Sequence, residues 1–240
     1  RFRPNGPVDG PGHYVYLRDN DTGDFWSVSW QPVGKPKEHY TCRHGLSYSK
    51  YLCDYSGINA QQTLFAAIDD PVEIWDVRLR NDSGKKRNLS VFSYLEFSFH
   101  QISMDNQNFQ MSLYATGSRY EDGIIEEDGF QFFTADFTPD GFDCCRDAFL
   151  GDYRTERNPQ AVETGKCSGS FRKGGNHCGA LMKTITLEPG QEQRLLFLLG
   201  EGGLETGRTM RRKYTQQRVD RDFAETAKFW DERLKCLQVS

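Results

Sequence analysis

Along the first two hundred residues, apolar and polar positions alternate with a period of two more often than with a helical period. Val72 to Arg80 sets Trp75, Val77 and Leu79 on one face of an extended segment, with Asp76 and Arg78 opposite. Leu89 to His100 sets Leu89, Val91, Leu95 and Phe97 on one face and Phe92, Tyr94 and Glu96 on the other. That pattern predicts a strand covered on both sides, as in a thick sandwich. His13 to Leu17, Phe25 to Trp30 and Leu46 to Tyr55 are further predicted strands, the first two joined by the turn Asp19 to Asp24. Asn81-Asp82-Ser83-Gly84 predicts a hairpin turn between the runs at 72–80 and 89–100, because Asn, Asp and Gly tolerate positive φ. Pro189-Gly190 predicts a type II turn closing a second hairpin, Ala180 to Leu187 with Arg194 to Leu199. Tyr114 to Lys173 is rich in Gly, Asp and Phe and reads as long connections over a sheet. The period changes after Thr206. A basic, polar stretch to Gln217 precedes Phe223, Ala227, Trp230, Leu234 and Leu237, spaced as one helical stripe with Asp220 as the expected cap. Such a stripe needs a partner, either the sandwich or a domain outside this chain.

Composition narrows the class. A chain of 240 residues suffices for one large all-β domain or two small ones. The aromatic fraction of 13% puts much of the expected core on rings. The net charge of -4 comes from interspersed charges with no basic face, which argues against nucleic acid as a partner. The longest apolar run, Leu195 to Leu199, is far short of the roughly 18 residues of a membrane span, so no membrane partner is expected. Seven cysteines, with Cys144 and Cys145 adjacent and no C-x-x-C pair, argue against a zinc site and against a secreted disulfide framework. Reduced thiols in a cytoplasmic protein are the simpler expectation. The chain opens on Arg1 rather than Met, and is expected to be a piece of a longer protein.

The densest concentration of ligand chemistry is DNQNFQMSLY, residues 105–114. Amides fork onto vicinal hydroxyls, and aromatic faces stack on the apolar side of a pyranose, so the mixture suits a neutral sugar. The same run also reads as a polar strand end with one buried Phe. His100, just before it, is a possible hydroxyl donor or a satisfied core histidine. The acidic clusters Glu121-Asp122, Glu126-Glu127-Asp128 and Asp140 with Asp143 are expected to be solvated loop carboxylates. Adjacent carboxylates on an extended segment point to opposite faces and cannot work as a pair across one bond. Cys42 and His44 share a strand face, but two ligands are too few for zinc, and packing is their expected role. His177 and Cys178, beside Gly174-Gly175, are expected in a turn. No P-loop, dinucleotide motif or G-x-S-x-G elbow is present. The residues alone thus describe a β-rich scaffold, one sugar-like loop and a terminal helix, without a self-sufficient active site.

The segments RFRPNG (1–6), YLRDNDTGDFWSVSWQPVGK (16–35), YSGI (55–58), EIWDV (73–77), NLSVFSYLEFSFH (88–100), DNQNFQMSLY (105–114) and DAFLGDYR (147–154) carry a resemblance that covers nearly the whole chain. The chain resembles the cellobiose phosphorylases of glycoside hydrolase family 94, with DNQNFQ pointing to the cellobiose rather than the chitobiose type. The resemblance implies a mainly β fold: a β-sandwich of the supersandwich, galactose mutarotase-like type with C-terminal linker helices. It implies an N-terminal sandwich domain over 1–204, lacking its first strands, and a helical linker over 205–240 leading to an (α/α)6 barrel outside the chain. The implied reaction is inverting phosphorolysis of cellobiose to α-glucose 1-phosphate and glucose. It requires no cofactor, with inorganic phosphate as co-substrate, and the implied assembly is a homodimer. The resemblance implies no catalytic residue here, since the acid belongs to the barrel. It implies substrate contact by Asn108, Phe109 and Gln110 across the dimer. The alternative is a free-standing carbohydrate-binding module without catalysis.

Overall fold

The computed structural model describes residues 12–97 and 116–235. Within them, β1 (Tyr14–Asp19), β2 (Phe25–Ser27), β7 (Arg87–Tyr94), β11 (Gly141–Cys145) and β13 (His177–Leu187) form a sheet of order β11-β13-β7-β1-β2. The second sheet holds β3 (His39–Gly45), β4 (Tyr48–Tyr55), β5 (Ile58–Ala66), β6 (Val72–Asn81), β8 (Gly117–Glu121), β9 (Ile124–Glu127), β10 (Gln131–Ala135), β12 (Arg172–Lys173) and β14 (Glu192–Glu201). Its order is β12-β8-β9-β10-β14-β6-β5-β4-β3. Strands named here pair antiparallel throughout. Four helices follow in chain order: α1 (Arg146–Leu150), α2 (Gln160–Thr164), α3 (Leu204–Lys213) and α4 (Gln216–Leu234). No helix among the described residues is long and apolar enough to cross a membrane.

The sheets face each other across a core that includes Val15, Leu17 and Val91 from one side and Trp75, Val77, Leu79 and Phe197 from the other. The outer face of each sheet is also apolar and is covered by helices. Tyr16, Phe92 and Tyr94 pack against Phe149 and Leu150 of α1 and Val162 of α2. Phe65, Ile74, Leu196 and Leu198 pack against Leu204 of α3 and Val219 of α4. The expected two-sided burial of β7 is therefore present, its outer face lying under α1 and α2.

Both predicted hairpins are corrected. β6 and β7 belong to different sheets, as do β13 and β14, so the turns at Asn81–Gly84 and Pro189–Gly190 are arches that carry the chain from one sheet to the other. Asn81, fully buried, ties the two arches together. Its backbone N–H donates to the Gln191 carbonyl at 3.0 Å and its carbonyl accepts from Gly190 N–H at 2.8 Å. Its side-chain amide donates to the carbonyls of Lys85 and Leu187 at 2.8 and 2.9 Å. The middle of the chain is corrected as well: it forms β8 to β12 and two short helices rather than long connections. Tight turns with positive φ make this possible, at Asp122-Gly123 (51° and 77°) and Asp128-Gly129 (45° and 76°).

The terminal helix starts earlier than expected. Thr215, not Asp220, is the cap, its side chain accepting from Arg218 N–H. Asp220 instead accepts from Arg78 at 2.9 Å and from Arg194 at 2.8 Å, and both guanidiniums also grip buried Asp76 on the sheet. The start of the predicted stripe docks on the sandwich, where Phe223 meets Tyr48 and Phe65 edge to face. Ala227 and Leu234, farther along, are exposed.

Candidate functional site

The amide-rich run falls between residue 97, which follows β7 of one sheet, and residue 116, which precedes β8 of the other. On the outgoing side, Leu95 exchanges two backbone hydrogen bonds with Gly179, at 3.0 and 2.9 Å, which extends β7 along β13. Phe97 is buried in the central core. On the returning side, Gly117 N–H donates to Asp128 Oδ1 at 2.9 Å, and Gly174 N–H donates to the Thr116 carbonyl at 2.7 Å. His177, expected in a turn, is the buried first residue of β13. Its Nδ1 lies 2.9 Å from Ser118 Oγ and so links the two sheets at this end. Asn108, Phe109, Gln110 and His100 lie outside the described residues.

The outgoing root is built on buried charge. Arg146 Nε donates to Glu96 Oε1 at 2.9 Å and Nη2 donates to Glu156 Oε1 at 2.9 Å, with both carboxylates nearly sealed from solvent. The Tyr94 hydroxyl donates to the same Glu96 oxygen at 2.8 Å, and the Tyr16 hydroxyl donates to the Glu156 carbonyl at 2.8 Å. Burial, then the nearby Glu156 and Glu96 carboxylates, push the Tyr14 phenol up to about 12. An arginine flanked by two acids, with the Tyr94 hydroxyl as a second donor to Glu96, is the arrangement that makes a buried charge tolerable. Sequence reasoning missed Arg146 and Glu156. The available signal was Glu96, an acid on a strand whose other residues are mostly apolar.

Beside the returning root is a groove of about 780 Å³ whose lining includes Ser118, Arg119, Glu126, Asp128, Phe171 and Arg172. Its carboxylates are committed: Glu126 to Arg119, and Asp128 to the Gly117 amide. The expectation of solvated loop carboxylates is corrected for Glu126, Glu127 and Asp143, which are all buried. Asp143 takes backbone N–H donors from Ser168 and Ser170 and the hydroxyls of both, which anchors that loop on β11. Cys42 and His44 are corrected too. They are exposed on edge strand β3, with Sγ 3.2 Å from Nε2, rather than packed. Among the described residues no cluster of His, Cys, Asp and Glu is arranged to hold a metal ion.

The chain matches the family described as Glycosyl hydrolase 94, supersandwich domain, over residues 1–217. It is 50% identical to the N,N'-diacetylchitobiose phosphorylase of Vibrio furnissii, over 100% of this chain and 31% of that protein. It is 49% identical to the enzyme of the same name from Vibrio proteolyticus, again over 100% of this chain and 31% of the relative. The solabiose phosphorylase of Paenibacillus borealis is 34% identical over 90% of this chain and 29% of its own length. The chain thus spans about a third of the length of these curated relatives. Two facing antiparallel sheets, and a family match that runs through every strand named in them, lead to one conclusion: the chain belongs to glycosyl hydrolase family 94, as its supersandwich domain.

Proposed function

We propose that this chain serves a disaccharide phosphorylase as an accessory and dimerisation domain, shaping the rim of a sugar cleft while another domain supplies the acid. The observation that carries this reading is identity of 50% to a diacetylchitobiose phosphorylase along the whole chain. That identity favours N,N'-diacetylchitobiose as substrate over cellobiose, the disaccharide suggested by DNQNFQ. In the inverting reaction, phosphate attacks the anomeric carbon from the face opposite the departing sugar while a carboxylic acid protonates the glycosidic oxygen. Phosphate is already an anion, so no general base is needed. The products are an α-sugar 1-phosphate and a free sugar. Glu126, Asp128 and Asp143 are already held by protein donors, which supports a proton donor outside this chain.

On this reading Asn108 and Gln110 hydrogen-bond sugar hydroxyls across a homodimer, with Phe109 as the wall. Residues 205–240 begin the linker to an (α/α)6 barrel. Inorganic phosphate is the co-substrate and no cofactor is required. The described cysteines are free thiols, which supports a reducing, cytoplasmic setting. The test assays the longer polypeptide carrying this chain with phosphate and each disaccharide. Faster release of sugar 1-phosphate from N,N'-diacetylchitobiose is expected. Preference for cellobiose would return the substrate to the cellobiose reading, and no phosphate-dependent cleavage of either would refute the phosphorylase reading.

A further inference from the structure

Four aromatic side chains converge on one cleft at the edge formed by β2 and β3. Tyr14, Trp30, Tyr40 and Tyr51 line a volume of about 540 Å³, with His13 and Gln31 as polar members. Among the described lining residues none is a carboxylate, lysine or arginine. Tyr40 and Tyr51 pack against the central core, so the sheet fixes the floor. His13 is held by Glu73 Oε1 at 2.8 Å and stacks on buried Trp75 with ring centroids 5.1 Å apart. The outer wall is Trp30, 42% exposed, whose ring lies 5.8 Å from that of Tyr40 at 58°. Lys37 sits over both rings, at 5.3 and 5.2 Å from their centroids, and donates to the Ser29 carbonyl at 3.0 Å. A cation held there restrains the indole. The wall is thus exposed yet positioned. Elsewhere, aromatic stacks such as Tyr94 on Phe149 and Phe133 on Phe197 are closed inside the cores.

A pyranose ring has a face of C–H groups and a perimeter of hydroxyls. It covers the first with an aromatic ring and satisfies the second with amides and phenols. Phenols are protonated at neutral pH, and burial raises those of Tyr40 and Tyr51 further. We propose that this cleft is a saccharide-binding site of the chain itself, taking one neutral pyranose ring against Trp30 with Gln31 and the tyrosine hydroxyls at its perimeter. The inference goes beyond phosphorolysis and holds or fails whichever disaccharide the longer protein cleaves.

The four tryptophans provide the test, because Trp26 and Trp75 are buried and Trp230 lies on α4. The chain is labelled with 5-fluorotryptophan, and the Trp30 resonance is assigned by its loss in Trp30→Phe. Titration with cellobiose or N,N'-diacetylchitobiose is expected to move that fluorine signal and leave those of Trp26 and Trp75 in place. Sorbitol, which has hydroxyls but no ring face, is expected to move none. Tyr40→Ala is expected to weaken the response about tenfold, the loss typical of truncating an aromatic anchor. A Trp30 signal unmoved by both disaccharides, or moved equally by sorbitol, or insensitive to Tyr40→Ala, overturns the proposal.

Discussion

The two edges of the sandwich solve opposite problems. At the edge that roots the amide-rich run, charge is buried and internally satisfied: Arg146 is shared by Glu96 and Glu156, and Glu126 is taken by Arg119. At the β2–β3 edge the lining is aromatic, and Trp30 keeps a large part of its ring in solvent. A ligand entering the first region must displace charged protein partners, whereas one entering the second covers ring surface that is partly in solvent. The difference separates residues that hold a loop root in place from an aromatic lining that presents ring faces at the surface.

The strongest way to break this contrast is Arg146→Ala. It leaves two buried carboxylates without their cation and is expected to cost about 3–5 kcal/mol in a urea unfolding curve. Arg119→Ala, which strands a single buried carboxylate, Glu126, whose partner is itself exposed, is expected to shift the same curve clearly less. Equal effects at the two sites would erase the distinction between root and groove.

A second buried pair gives the contrast a pH signature. Burial alone would raise the Asp19 carboxyl, but the Asp21 amide and the Arg87 guanidinium, 2.6 Å away, outweigh it and hold the group below the usual carboxylate range. A depressed folded-state pKa stabilises above the unfolded value of about 3.9, and that contribution is lost as pH falls from there through the lower folded-state value. Stability of the parent chain is therefore expected to decline below about pH 4. Asp19→Asn should make that acid limb shallower, and an identical limb in the variant contradicts the assignment.

Smaller effects belong to recognition. In the longer polypeptide, Gln110→Ala is expected to raise the disaccharide KM about 2–12-fold, the value of one neutral hydrogen bond of roughly 0.5–1.5 kcal/mol. Kinetics matching the parent would remove Gln110 from the substrate rim. Smallest of all, Trp30→Ala is expected to change unfolding free energy by no more than about 0.5 kcal/mol, since a half-exposed ring stabilises little of the fold. A large loss there would make Trp30 a core residue and end its role as a free wall.

The sandwich was legible where one face is strongly apolar, as in Trp75-Val77-Leu79 and in β7. The pairing of those strands was not. A short turn between two alternating runs looks the same whether the strands pair or diverge onto facing sheets, and only the packing of both faces decides. β5 carries no such signal, because Gln61, Gln62 and Thr63 break its apolar alternation, although Gln62 is fully buried. The strands after residue 116 had their signal in Asp122-Gly123 and Asp128-Gly129, whose positive φ makes tight turns where long connections were expected. Asp220 looked like a cap because it is an acid ahead of a stripe, but two arginines on neighbouring strands draw it to the sheet. The aromatic cleft had no local signature at all. Tyr14, Trp30, Tyr40 and Tyr51 sit on separate strands and a connection, and meet only because the sheets end together.

The proposal that this domain takes part in phosphorolysis without performing it meets its sharpest test in phosphorus NMR. The 240-residue chain is incubated with N,N'-diacetylchitobiose or cellobiose and inorganic phosphate, in parallel with the longer polypeptide. The predicted result is a sugar 1-phosphate resonance from the longer polypeptide and none from the chain alone. A sugar 1-phosphate formed by the chain by itself would contradict it.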